Sequence, residues 1–180
     1  CGIPVGDYAN ADLILLWGHN PANTWLAQAN AVGGGRAKGA RLMVVDPRPT
    51  PLAKEADAWL NVYPGTDGAL ALGLSHLLIA KGAYNHDFVR NWTNGPLLVR
   101  SDNGHFLREQ DLQPQASQNR YVAWDGLNNN VLYIESERRE SEKIASEVVL
   151  EGSIEITLAN GITTGCVTAF SLFKALVEDY

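Results

Sequence analysis

Short apolar runs alternate with helix-forming segments along the first half of the chain. The runs are rich in aliphatic and aromatic residues, and they cover residues 11–17, 42–45 and 59–63. Such runs are typical of strands in a parallel sheet, and we expect the first to be buried on both faces. Helices are predicted at 24–37, 49–56 and 67–81. This alternation is typical of parallel βαβ units, which we expect over roughly residues 11–95.

The helix at 67–81 has the clearest pattern. Four leucines fall on one stripe of the helix: Leu70, Leu74, Leu77 and Leu78. Such a stripe is typical of a helix that packs on a core, and Lys81-Gly82 supplies a basic last turn and a stop. In the helix at 24–37, Asn23 is a favourable N-cap. A further short helix is predicted at 86–92.

The pattern changes after about residue 96. Short β-type runs are now separated by turn residues, and they occupy 97–99, 106–107, 120–122, 131–134, 154–158 and 162–164. Asn160-Gly161 is a strong hairpin signal between two of them, and a last helix is predicted at 168–179. The predicted fold class is therefore α/β, a Rossmann-like parallel sheet with flanking helices and an antiparallel β elaboration in the C-terminal half. We expect the α/β domain to comprise 1–96 plus 166–180, and the β-hairpin elaboration to comprise 97–165.

Composition and charge exclude several classes of function. The 180 residues are 46% hydrophobic, which is enough for a core, and the net charge of −6 is not accompanied by a basic stripe. We therefore expect no nucleic-acid partner. No apolar run approaches the ~20 residues of a membrane helix, so no membrane partner is expected either. The mixed charge run at 135–143 is predicted to be a solvated loop or an exposed helix.

The cysteines and the first residue bear on possible disulfides and on whether the chain is part of a longer protein. Only Cys1 and Cys166 are present, which gives neither a disulfide framework nor a CxxC pair. Cys166 is predicted to be a small buried hydrophobe. Because the chain begins at Cys1 rather than Met, we expect it to be an excised piece of a longer protein. The sequence does not distinguish a cytoplasmic from a periplasmic location.

Candidate chemistry lies where the predicted strands end. Three polar segments follow them, at 18–24, 46–50 and 64–67, and each leads into a predicted helix. Ligands of open parallel sheets bind beyond the carboxyl ends of the strands, and helix N-termini hold phosphates well. Asp46 stands where a carboxylate commonly binds ribose hydroxyls, and Arg48 can pair with a phosphate or flank a base. Taken singly, these residues are equally typical of caps and turns.

The order and spacing of the three segments carry more information than any one of them. Residues 11–22 read ADLILLWGHNPA, residues 45–50 read VDPRPT, and residues 64–70 read PGTDGAL. Together they resemble the molybdopterin oxidoreductase family, the group similar to dimethyl sulfoxide reductase and formate dehydrogenase. The resemblance covers roughly residues 9–95 and is weaker towards the final helix.

This resemblance implies that the region holds the guanosine and pyrophosphate end of a molybdopterin guanine dinucleotide. Asn20 and the 22–24 loop would face the pyrophosphate, Asp46 and Arg48 the guanosine, and Gly65 and Asp67 the guanine or ribose. The candidate cofactor-binding residues are Gly18, Asn20, Ala22, Asn23, Thr24, Asp46, Pro47, Arg48, Gly65 and Asp67. No catalytic residue and no metal ligand is assigned. The molybdenum or tungsten would be carried by the dinucleotide and not ligated by this chain.

The resemblance also implies partners and says what this chain would not do alone. The remaining domains of a parent enzyme and an iron–sulfur electron-transfer domain or subunit are the expected partners, and the fragment is expected to be inactive alone. Two other hypotheses stay open: a generic nucleotide-binding α/β domain, and a noncatalytic interaction module in which the loops are only turns. The first strand lacks the G-x-G-x-x-G of an NAD-type unit.

Overall fold

The computed structural model describes residues 6–136 and 147–179. Two compact units are present, Cys1–Leu70 and Ala71–Tyr180. The predicted charge run at 135–143 lies outside the described residues from residue 137 onward, as does Cys1. The domain boundaries expected from the sequence remain a prediction.

The first unit is built on a parallel sheet of three strands. After a 3₁₀ turn at Tyr8–Asn10, its elements follow in chain order: β1 (Leu13–Trp17), α1 (Pro21–Thr24), α2 (Leu26–Ala37), β2 (Arg41–Val45), α3 (Pro51–Glu55) and β3 (Ala58–Leu60). The central strand β2 pairs in parallel with β1 on one side and with β3 on the other. The predicted parallel sheet with flanking helices is confirmed, as is the α/β class.

The core of this unit lies on one face of the sheet. It joins alternate residues of β1 and β2 with residues of the helices and the loop before β2: Ile14, Leu16, Val32, Ala40, Leu42, Val44 and Ala53. On the other face, Leu13 and Leu15 are 48% and 47% exposed. The prediction that β1 is buried on both faces is therefore wrong. Its continuous apolar run conceals a period of two, because both faces carry leucine or isoleucine.

The segment after β1 also differs from the prediction. A short helix α1 begins with Pro21 in its first turn, and Trp25 interrupts it with φ −155° before α2 begins at Leu26. Asn23 consequently lies inside α1, and its predicted role as the N-cap of the long helix is wrong. A proline is well suited to the first helical position, which explains why the chain becomes helical earlier than expected.

The predicted helix at 67–81 is confirmed as α4, which extends over Asp67–Ala80. The expected packing of its leucine stripe on a core is not observed. None of its residues is buried, and Leu77 and Leu78 are 52% and 50% exposed. Apolar residues lie all round this helix rather than on one stripe, a composition typical of helices enclosed within larger proteins.

The second unit confirms the predicted antiparallel elaboration. Its further elements are α5 (His86–Trp92), β4 (Leu98–Arg100), α6 (Glu109–Leu112), β5 (Arg120–Asp125), β6 (Asn130–Glu135), β7 (Ser153–Thr157), β8 (Thr163–Thr168) and α7 (Ala169–Glu178). One antiparallel sheet has the order β4-β8-β7, and β5 pairs with β6. The expected strand at 106–107 is reduced to isolated bridges.

Two details of this unit follow from local chemistry. Asn160-Gly161 lies in the turn between β7 and β8, as predicted, with Gly161 N donating to Leu158 O over 2.9 Å. Cys166 is fully buried in a cluster of aliphatic side chains, which confirms it as a small core residue. Burial raises the pKa of its thiol to about 11.

The Gly33–Gly35 run inside α2 provides a matched test of packing. A Cβ on Gly35 would lie 2.2 Å from the Tyr8 carbonyl oxygen, whereas one on Gly34 would meet nothing within 4 Å. We expect Gly35→Ala to destabilise the unit by about 1–3 kcal/mol through overpacking. Gly34→Ala should stabilise it by about 0.5–1 kcal/mol, because alanine is the better helix former. Urea unfolding measures both, and equal effects would contradict this packing.

Asp125 provides a test of pH dependence. Its carboxylate accepts hydrogen bonds at the β5–β6 turn, and these lower its pKa, the Asn128 side chain contributing most and backbone N–H groups adding to it. A lowered folded-state pKa stabilises the fold above the usual carboxyl value, and this stability is lost as pH falls through the folded value. Asp125→Asn should flatten the decline in unfolding free energy between about pH 5 and pH 2.

The matched control for this measurement is Asp12→Asn. The Asp12 side chain is exposed and forms no hydrogen bond with another described residue. An acid decline that is equally steep in Asp125→Asn and in the unsubstituted chain would show that the turn does not stabilise the charged carboxylate.

Candidate functional site

The segments after β1, β2 and β3 are joined by hydrogen bonds at the carboxyl edge of the sheet. Gly18 N donates to Val45 O over 2.8 Å, which ties the first segment to the end of β2. Asp46 N donates to Leu60 O over 3.3 Å, which ties the second segment to the end of β3. The third segment is linked to the end of β1 by the hydrogen bond from Trp17 Nε1 to Asp67 Oδ1. All three segments therefore lie at this edge, although more than 20 residues separate the first from the second in the sequence.

The first segment contains donors and an acceptor that lack partners. The backbone N–H groups of His19, Asn20 and Ala22 donate no hydrogen bond to another described residue. The Oδ1 atom of Asn20 is buried and is also without a partner. The Asn20 carbonyl, in contrast, accepts from Asn23 N over 3.1 Å and from Thr24 N over 3.3 Å. The loop is therefore held by its carbonyl while its amide groups remain available.

The second segment combines a buried carboxylate with an exposed cation. Asp46 is only 4% exposed, and its Oδ1 accepts from Arg48 N over 2.8 Å. Its Oδ2 accepts from no other described residue. The side chains of Pro47 and Arg48 are exposed, and the Arg48 guanidinium forms no ion pair within the described ranges. Asp46 therefore stabilises the turn and keeps one oxygen available.

The third segment is a tight turn that leads into α4. Gly65 has φ +90°, a conformation that glycine adopts without strain. The turn is closed by Thr66, whose N and Oγ1 donate to Tyr63 O over 3.0 and 2.8 Å. Asp67 is the first residue of α4, where a negative side chain is stabilised by the helix dipole.

Two tryptophans that the sequence analysis did not select hold the acidic residues. Trp17 Nε1 donates to Asp67 Oδ1 over 2.7 Å, which connects the end of β1 with the start of α4. Trp59 Nε1 donates to the Asp46 carbonyl over 2.8 Å. A buried indole N–H usually finds an acceptor. The sequence places both tryptophans in or beside predicted strands, but it does not indicate which acceptors their N–H groups reach.

A chain of hydrogen bonds also fixes His19. Its Nε2 lies 2.8 Å from Gln28 Oε1, and Gln28 Nε2 donates to the Tyr8 hydroxyl. The Gln28 side chain thus bridges His19 and Tyr8. The ring is thus oriented by α2 and the 3₁₀ turn.

The candidate residues occupy this edge in different ways. Gly18, Asn20, Asp46, Pro47, Arg48, Gly65 and Asp67 lie in the three connecting segments or at the start of α4, and Ala22, Asn23 and Thr24 form most of α1. Ala22 is half-buried, and Asn23 and Thr24 are exposed. Their binding roles stay predictions.

Over residues 6–136 and 147–179, no three His, Cys, Asp or Glu side chains form a group that could hold a metal ion. Within the same ranges, no helix is both long and apolar enough to cross a membrane.

Comparison with known proteins identifies the family. A model of the molybdopterin oxidoreductase family matches residues 2–171. The chain belongs to the molybdopterin oxidoreductase family. The resemblance in the three strand-end segments is thereby confirmed at the level of the family.

Several named proteins are similar to this molybdopterin oxidoreductase chain. Perchlorate reductase subunit alpha of Dechloromonas aromatica (strain RCB) is 33% identical over 130 residues, covering 69% of this chain and 14% of the relative. Chlorate reductase subunit alpha of Ideonella dechloratans is 32% identical over 178 residues, covering 97% of this chain and 19% of the relative. The solved structure of acetylene hydratase from Pelobacter acetylenicus has a TM-score of 0.43 and 36% identity. The match covers 47% of this chain and 12% of that structure's chain. The chain spans less than a fifth of the length of each relative.

The Gly65 turn gives a prediction about the stability of the site. Gly65→Ala should destabilise the first unit by about 1–2 kcal/mol, because a Cβ is strained at φ +90°. The control is Gly68→Ala in α4, where the added Cβ meets nothing within 4 Å and no positive φ is required. Urea unfolding compares the two, and an equal effect of both substitutions would refute strain at the turn.

Proposed function

We propose that this chain is the part of a molybdenum or tungsten oxidoreductase that binds the guanosine-pyrophosphate end of molybdopterin guanine dinucleotide. Membership of the family supports a molybdopterin cofactor. The observation that carries the proposal is a set of polar groups without partners among the described residues, along one edge of the parallel sheet. They are amide groups after β1, a carboxylate oxygen and a guanidinium after β2, and one oxygen of a second carboxylate after β3.

The first segment fits a pyrophosphate. Neighbouring free N–H groups can bind an anion together, and here they belong to His19, Asn20 and Ala22, with Pro21 between the last two. Asn20 Oδ1 is buried and has no hydrogen-bond partner among the described residues. A half-turn of the amide would exchange Oδ1 and Nδ2, so the side chain can place either an acceptor or a donor there.

The second and third segments fit a guanosine. Guanine presents N–H donors, ribose presents hydroxyl donors, and carboxylates accept from both. Asp46 Oδ2 and Asp67 Oδ2 are the available acceptors, and neither accepts from another described residue. The Arg48 guanidinium can pair with a phosphate or stack on the base. The residues present therefore fit the proposed group.

The chain's own residues would act by positioning. When bound, the cofactor supplies a two-electron oxidation or reduction at its metal. The loop amides would hold the phosphates, and the two aspartates would fix the orientation of the nucleoside and hence the direction of the remainder of the molecule. No residue here is assigned to the reaction itself, and we propose that the 180-residue chain is inactive alone.

The same proposal includes the remaining domains of the parent enzyme as partners, together with an iron–sulfur electron-transfer domain or subunit. Parallel sheets are covered on both faces in stable proteins, yet Leu13 and Leu15 are half-exposed on one face of this sheet. The apolar helix α4 likewise has no buried residue. Both surfaces are of the kind that a larger subunit covers.

A nucleotide titration tests the proposal. We expect GDP to shift the amide resonances of residues 18–24, 46–50 and 64–67, and ADP to shift them less. Guanine presents two adjacent N–H donors, N1–H and the 2-amino group, to a carboxylate, whereas adenine offers only its 6-amino group. Asp46→Asn should weaken GDP binding without unfolding the chain, because an asparagine oxygen can still accept from Arg48 N while the carboxylate charge is lost. We expect a loss of about tenfold in affinity, which is typical for a hydrogen bond to a charged group.

Each outcome of this titration has a meaning. Equal shifts with ADP would favour a generic nucleotide-binding domain. No shift with GDP at about 10 mM, which would detect even millimolar affinity, would contradict the proposal and favour an interaction module. Equal GDP affinity of Asp46→Asn and the unsubstituted chain, both folded, would refute the role of Asp46. Asp12→Asn, which changes the same charge on an exposed and unbonded side chain, is the matched control.

A further inference from the structure

We propose that Trp17 is a positioning residue for Asp67: its indole N–H holds one oxygen of the carboxylate so that the other is presented to a bound guanine nucleotide. This inference rests on the proposed function and adds a residue to it.

The hydrogen bond has the geometry of a strong, charge-assisted contact. Trp17 Nε1 and Asp67 Oδ1 are 2.7 Å apart, within the short range typical of bonds to carboxylates. Both residues belong to regular elements. Trp17 is the last residue of β1 and is in register with Val45 of β2, and Asp67 is the first residue of α4. The two atoms are therefore held from both sides.

Holding Oδ1 has a consequence for Oδ2. A free aspartate side chain rotates, and a ligand that uses it must order it on binding. Here the indole removes most of that freedom in advance, and Oδ2 accepts from no other described residue. Such preorganisation of one side chain corresponds to about three- to tenfold in affinity.

The choice of an indole suits this task. Its N–H is a donor only and stays neutral, so the bond does not compete with the ligand for the second oxygen or add a charge to the site. Trp59 differs in this respect, because it donates to the Asp46 backbone carbonyl and leaves the carboxylate orientation to the Arg48 N–H. Of these two tryptophans, only Trp17 makes a direct contact with a carboxylate of the proposed site.

Calorimetric titration with GDP compares Trp17→Phe with Trp92→Phe. Phenylalanine keeps an aromatic ring but cannot donate. We expect Trp17→Phe to raise the GDP dissociation constant about three- to tenfold. Trp92 is 53% exposed and lies in the other compact unit, and Trp92→Phe should leave GDP affinity unchanged. Amide spectra of both variants establish that they are folded.

The indole resonance of Trp17 supplies a readout that does not require a Trp17 variant to be stable. It is the indole N–H signal absent from Trp17→Phe, or the one most shifted by Asp67→Ala. In the unsubstituted chain, saturating GDP should move this signal, because the ligand withdraws electron density from the shared carboxylate. In Asp67→Ala, GDP should no longer move it. A bond that merely connects β1 with α4 would not respond to the nucleotide in this way.

The outcomes separate this inference from the proposed function. If the unsubstituted chain binds GDP and Trp17→Phe binds it equally well, or if GDP leaves the Trp17 indole signal in place, the positioning role is overturned while the nucleotide site stands. If the unsubstituted chain binds no GDP, the proposed function fails and the inference fails with it.

Discussion

Parallel pairing of β2 with both of its neighbours is the constraint on which the rest of the first unit depends. Val45, at the end of β2, is in register with Trp17 of β1 on one side and with Leu60 of β3 on the other. All three strands therefore end on the same rung of the ladder. Because parallel strands need crossover connections, the segments that follow them must leave from one edge, and their polar residues become neighbours whatever their separation in the chain.

Not every polar group at this edge contributes to the stability of the fold. A buried polar group that lacks a partner destabilises a fold by about 1–3 kcal/mol, and most buried groups in proteins are paired. Asn20 Oδ1 is nevertheless unpartnered, while the Asn20 carbonyl and Asp46 Oδ1 are fully used in turns. Each of these residues thus uses one polar atom to hold the loop and has another without a partner among the described residues. That division is expected of residues that serve both a turn and a ligand.

Much of this architecture could be predicted from the sequence, and the limits have physical reasons. The strands, α4 and the Asn160-Gly161 turn follow from periodicity and from local turn chemistry, which depend only on nearby residues. The exposed face of β1 could not be predicted, because leucine on both sides hides which side meets a core. The prediction that α4 packs on a core was wrong for the same reason. Whether an apolar residue is covered depends on what lies opposite, and a single sequence does not contain that information.

Some features of the candidate site could likewise be predicted from the sequence, and others could not. The loops and their acidic residues were predictable because strand ends and small polar residues mark them. The prediction of Asn23 as a helix cap was wrong, because a helix begins earlier, at Pro21. The indole contacts were not predictable either, since each joins atoms that are distant in sequence: 50 residues separate Trp17 from Asp67, and 13 separate Trp59 from Asp46. Such contacts exist only after the sheet has aligned the strand ends.

The two tryptophans show that similar side chains can constrain a site in different ways. Trp59 holds a backbone carbonyl, an atom that every residue at position 46 would offer, so its contact fixes the path of the chain irrespective of the side chain there. Trp17 holds a carboxylate, so its contact exists only while position 67 carries a side-chain acceptor of the right length. The first therefore preserves the loop, and the second makes the geometry at the edge depend on the identity of one acidic residue.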